Sequence, residues 1–76
     1  MKFYYLDNED CSGIFSSVEK AKESYFNFIK RCGWKHIKEK EYSDDTIDLT
    51  YVWERNSGKA KGIVSIIPYE LDEDNG

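Results

Sequence analysis

The sequence predicts a two-layer α+β domain, with one helix packed on one face of an antiparallel sheet of about four strands. Three observations carry that expectation. Only the stretch from Ser16 to Gly33 has helical periodicity. Thr46 to Arg55 alternates apolar and polar residues one by one, as a half-buried strand does. Asn56-Ser57-Gly58-Lys59 then separates it from a second strand-like run, which reads as a hairpin turn.

The chain of 76 residues makes one domain, taken as residues 1–71, followed by an acidic tail at 72–76 that is expected to fray. A core this small gains from two tryptophans, six tyrosines and four phenylalanines, each burying much apolar area at low conformational entropy. No apolar run is long enough to span a bilayer. The opening residues MKFYYLDNED turn acidic at Asp7, unlike a secretory signal peptide. The expectation is therefore a soluble cytoplasmic protein.

Taken in order, Lys2 to Asp7 is aromatic-rich and suits a central or well-covered strand. Phe3 and Tyr5 share one face, Tyr4 and Leu6 the other. Asn8 to Gly13 is a turn by composition, so the chain opens either on a single strand or on a hairpin that Gly13-Ile14-Phe15 closes. Ser16-Ser17-Val18-Glu19 fits a capping box, with Glu19 reaching back to the start of the helix. Val18, Ala21, Tyr25, Phe28, Ile29 and Cys32 line the apolar face, with Phe26 off that stripe. Gly33 is placed to be the left-handed residue that ends the helix.

Trp34 to Ser43 alternates lysine and glutamate, a pattern of edge strands that discourages unwanted pairing. In the next strand Ile47, Leu49, Tyr51 and Trp53 face the helix, and Asp48, Thr50, Val52 and Glu54 face away. A four-residue turn at Asn56–Lys59 sets Tyr51 opposite Val64 and Leu49 opposite Ile66 in the last strand, Ala60 to Leu71. Pro68 lacks a ladder donor and marks an edge or a strand end.

The box Gly13-Ile14-Phe15-Ser16-Ser17-x-Glu19-Lys20-Ala21, with the later Tyr69-Glu70-Leu71-Asp72-Glu73, resembles a pattern in small uncharacterised phage and prophage proteins. The resemblance covers about a third of the chain. It implies a mobile-element origin, and hence the cytoplasm of a bacterial host. It transfers no catalytic residues.

The residues that could carry chemistry are few. His36 is the only histidine, in a charged edge strand where an ordinary exposed side chain is expected. Cys11, Cys32 and His36 lack the paired spacing of a zinc site, and the thiols are expected to be free in a reducing cytosol. Gly58-Lys59-Ala60-Lys61-Gly62 leads into a strand, unlike a phosphate loop. The carboxylate clusters at Asp7/Glu9/Asp10, Asp44/Asp45/Asp48 and Asp72/Glu73/Asp74 have no calcium-loop pattern. The expectation is a non-enzymatic protein with no metal and no cofactor.

A net charge of −4 argues against nucleic-acid binding, and it either serves solubility alone or favours a partner with a basic surface. Val52, Ile63, Ile67 and Tyr69 fall on the sheet face that one helix does not reach. With Asp44, Asp45 and Asp48 at the rim they form the candidate contact surface for another protein. In its specific form the chain is a phage accessory factor that inhibits a host protein. A homodimer through Val52, Ile63 and Ile67 is a third reading, unless the first strand or the tail folds over that face. The competing class is a single-stranded nucleic-acid module using Lys35, Lys38, Lys40, Lys59 and Lys61 around Tyr51 or Trp53.

Overall fold

A computed structural model describes residues 2–8 and 11–70. The elements are β1 (Lys2–Asp7), β2 (Gly13–Phe15), α1 (Val18–Cys32), β3 (Lys35–Glu41), β4 (Ile47–Arg55) and β5 (Gly58–Glu70). The one helix lies on one face of a five-stranded antiparallel sheet of order β2-β1-β5-β4-β3. The sheet has one strand more than the expected four because the short Gly13–Phe15 return pairs fully with β1. Leu71 and the 72–76 tail lie outside the described residues.

Helix α1 starts one residue later than the capping box implies. Ser17 is the N-cap, and its Oγ accepts the Lys20 N–H at 3.2 Å. Glu19 therefore falls in the first turn, where it complements the helix dipole instead of closing a box. The far end is a Schellman ending. Gly33 sits at φ 75° and donates to the Lys30 carbonyl at 3.1 Å, while Trp34 N–H reaches the Ile29 carbonyl at 2.8 Å. The Trp34 ring then packs edge-on against Phe28 with centroids 5.4 Å apart, the apolar contact that accompanies this ending.

The helix buries Ala21, Tyr25 and Ile29 against Leu6, Leu49, Val64 and Ile66 of the sheet. Burying an aliphatic side chain of this kind contributes about 1.5–3 kcal/mol. Cys32, expected in the core, is exposed at the last position of the helix, on the rim of a depression it shares with Trp34 and Trp53. Cys11 takes a core position instead, and burial raises its thiol pKa. Phe26 stays 41% exposed but packs edge-on against Tyr25 and His36.

The β4–β5 hairpin pairs Leu49 with Val64, Tyr51 with Gly62 and Ile47 with Ile66. Its loop is Asn56-Ser57 alone, closed by Arg55 opposite Gly58, so the expected register is off by two residues. A two-residue slip keeps every side chain on its expected face, and the apolar face survives the error. The observed register also explains Gly62. A Cβ there would come within 2.5 Å of the Tyr51 ring, which lies across this glycine. Tyr51 cannot yield easily. Its ring stacks on Trp34 at 5.2 Å with planes 2° apart and lies 5.6 Å from Trp53.

Strand β5 is shared. Strand β4 pairs with it from Gly58 to Ile66, and β1 pairs with its other flank from Ser65 to Glu70. Pro68 therefore lies inside a central strand. It sits past the end of β4, so no strand on that flank needs its missing donor. Strand β3 forms one edge, as its charge pattern predicts.

Replacing Gly62 by alanine is expected to lower stability by about 1–3 kcal/mol, the cost of forcing a methyl group into a packed site. Urea denaturation of G62A checks this, and an unchanged midpoint contradicts the close approach of Tyr51.

Candidate functional site

The face of the sheet turned away from α1 is built from cross-strand rows that the register sets out. At the hairpin end Lys59 lies opposite Glu54, and Lys61 opposite Val52, which Lys35 flanks from β3. The next row is Lys38, Thr50 and Ile63, followed by Lys40, Asp48, Ser65 and Asp7. Beyond these polar residues the face becomes apolar. Ile67, Tyr5 and Ile14 form one row, and Tyr69 and Phe3 form the last. The outer face thus grades from basic at the hairpin to aromatic beside β1 and β2.

The aromatic end is open. Ile14 is 70% exposed and Tyr69 54% exposed. Tyr5 meets Tyr69 edge-on at 6.3 Å, and with Phe3 and Ile14 they line a depression of about 300 Å³. Strand β1 does not fold over the outer face. It joins the sheet beside β5 and extends that face with Phe3 and Tyr5. Of the sequence-predicted contact residues, Ile67 and Tyr69 belong to this cluster. Val52 and Ile63 lie among the lysines at the other end.

The predicted acidic residues are engaged within the fold. Asp45 occupies the left-handed region at φ 70° in the β3–β4 turn, donating its N–H to the Tyr42 carbonyl at 3.0 Å. Asp44 accepts the Thr46 N–H at 3.1 Å, a bond that holds its carboxyl below the usual aspartate range. Asp48 accepts from the Tyr42 hydroxyl at 2.8 Å and the Ser65 hydroxyl at 2.7 Å. The bond to Asp48 in turn raises the Tyr42 pKa. Asp44 and Asp48 share a shallow depression with Tyr42, so the turn sits at one corner of the outer face.

His36 is not the exposed edge residue its sequence context predicts. Its register with β4 shifts between His36 and Lys38, and this bulge turns the imidazole toward the helix. There Nδ1 lies 2.8 Å from the hydroxyl of Tyr25, a fully buried side chain whose pKa burial pushes up. Neither sulfur atom of the chain is among the ring's hydrogen-bond partners, and the pair reads as a satisfied core contact. Among the described residues no group of His, Cys, Asp and Glu side chains is arranged to hold a metal ion.

Tyr51 and Trp53 lie on the helix side, whereas the outward register positions Lys35, Lys38, Lys40, Lys59 and Lys61 all lie on the other side. Tyr51 is buried away from these lysines, whereas Lys35 and Lys59 line one depression with Trp34 and Trp53. Among the described residues no helix is long and apolar enough to cross a membrane. The chain matches no protein-family model, no curated protein and no solved structure.

The Asp44 contact predicts a pH dependence. A carboxyl whose folded pKa lies below its ordinary value of 3.8 adds stability above that pH and loses it as pH falls through the folded value. D44N is expected to be less stable than the parent at neutral pH, with the difference vanishing as pH falls through the lowered folded value of Asp44. Melting both proteins across that range checks it, and a constant difference contradicts the assignment.

Proposed function

We propose that this chain is a small interaction protein, not a catalyst, and that it works by docking its outer sheet face on another protein. The observation that carries this reading is the cluster on the face α1 does not cover, in which exposed Ile14 and Tyr69 stand beside half-buried Phe3, Tyr5 and Ile67. Aromatic residues standing free of a small core are common anchors at protein interfaces. Asp7 and Asp48 border the cluster, and the chain is acidic as a whole. The partner this chemistry fits has an apolar recess set in a basic surface. Charge opposes the homodimer reading, because two chains of charge −4 would meet face to face.

The resemblance to phage and prophage proteins gives the reading its specific form. The chain acts in a bacterial cytoplasm as an accessory factor that binds and inhibits a host protein. The Asp44/Asp45/Asp48 turn then supplies the rim of the contact and sets its association rate more than its strength, as rim charges do. The single-stranded nucleic-acid reading has less support, because Tyr51 and Trp53 face the helix.

The test combines capture of the partner from the native host with two variants. I14D/Y69D, which alters only exposed positions, is expected to keep the melting temperature and lose the partner by at least about tenfold in affinity. D44N/D45N is expected to slow association by several-fold and leave dissociation unchanged. Full binding by I14D/Y69D contradicts the proposed surface.

A further inference from the structure

Strand β5 carries an open flank that the proposed docking face does not use. Strand β1 pairs only with Ser65 to Glu70, so along Gly58 to Val64 no strand lies on that side among the described residues. The backbone groups of a strand alternate between its two flanks. Asn8 fixes the parity here. Its side-chain amide donates to the Ile63 carbonyl at 3.3 Å, so odd-numbered residues of β5 point to the β1 side. Lys59 and Lys61 therefore present their N–H and C=O groups along the open flank, with Ile63 N–H beside them. The same residues send their side chains to the outer face, opposite Glu54 and Val52, and both are exposed. On the helix side the flank is lined by Ala60 and Gly62, against the rings of Trp53 and Tyr51.

The other two borders of the sheet are better guarded. Strand β2 spans only Gly13–Phe15, and β3 alternates lysine with glutamate and is broken by the shift between His36 and Lys38. The β5 flank has neither a bulge nor alternating signs. It shows one sign of charge on one side and small residues against aromatic rings on the other.

We infer that this flank receives an extended strand of another protein, carrying acidic, apolar and acidic residues in succession and completing the sheet in line with β1. The two carboxylates face Lys59 and Lys61, and the apolar side chain between them lies beside Ala60 on the helix side. Backbone pairing supplies the affinity of such strand addition, and the alternating side chains supply the specificity. A second copy of β5 is excluded from the role by its own lysines, since pairing two such flanks sets like charges opposite each other. A polyanion without a strand backbone can satisfy the lysines but not the ladder groups.

The test is an amide-shift titration of the intact protein with a blocked peptide alternating valine and glutamate. Two further peptides serve as comparisons, one with the glutamate facing Lys61 changed to proline and one with lysine in place of glutamate. Oligothymidylate is the nucleic-acid arm. The inference predicts shifts centred on Lys59, Lys61 and Ile63, and affinity that falls at least about tenfold from about 0.05 to about 0.5 M salt. The proline peptide binds at least about tenfold more weakly, because it lacks a ladder donor. K59E/K61E reverses the preference toward the lysine peptide. Equal binding of the proline peptide overturns the inference, as does no shift at millimolar peptide. Oligothymidylate shifting these amides where the glutamate peptide does not overturns it too. None of these results involves Ile14 or Tyr69, so this flank and the docking face stand or fall separately.

Discussion

The structure depends on one constraint: strand β5 must serve two neighbours over different parts of its length. Its thirteen residues accept β4 along the first part and β1 along the last, with overlap only at Ser65 and Ile66. That offset places the N-terminal strand in the sheet instead of over it. It makes Pro68 tolerable in a central strand, because β4 has already ended. It also leaves the hairpin projecting past β1, where Asn8 closes the ladder with its side chain.

A single helix can cover one face of such a sheet and no more. The covered face uses aromatic residues where a larger protein would use a second helix. Trp34, Tyr51 and Trp53 form a stacked layer under the helix C-terminus, and Tyr25 joins the layer to His36. Aromatic pairs of this kind add about 0.5–1.5 kcal/mol each beyond their burial. The Lys22–Glu39 ion pair at 2.9 Å also ties α1 to β3, but it is partly exposed and contributes little. The uncovered face is thus the place where this fold can meet a partner without disturbing its own core.

Much of this was legible in the sequence, and the failures share a cause. Local signals located the helix, its glycine ending, the alternation of β4 and the edge position of β3. What they could not encode was pairing between distant segments. The hairpin register depends on the fit of Tyr51 over Gly62, which no local pattern shows. The bulge that turns His36 inward depends on Tyr25 waiting to receive it. Cys32 follows the helical stripe, yet at the last position of the helix it lies on the rim of a depression beside Trp34 and Trp53. The candidate surface shows the same division. Alternation was enough to send Val52, Ile63, Ile67 and Tyr69 outward. Only the β1–β5 pairing brings Phe3, Tyr5 and Ile14 to Tyr69, and only tertiary geometry engages Asp48 with Tyr42 and Ser65.

The sharing of β5 is tested most directly by amide hydrogen exchange along that one strand. The account predicts slow exchange at Gly62, Val64 and Ile66, which face β4, and at Ile67 and Tyr69, which face β1. Lys59 and Lys61 should exchange faster by orders of magnitude, because their amides face the open flank. Protection of Lys61 equal to that of Gly62 would contradict the account, since it would require a neighbour where the structure has none among its described residues.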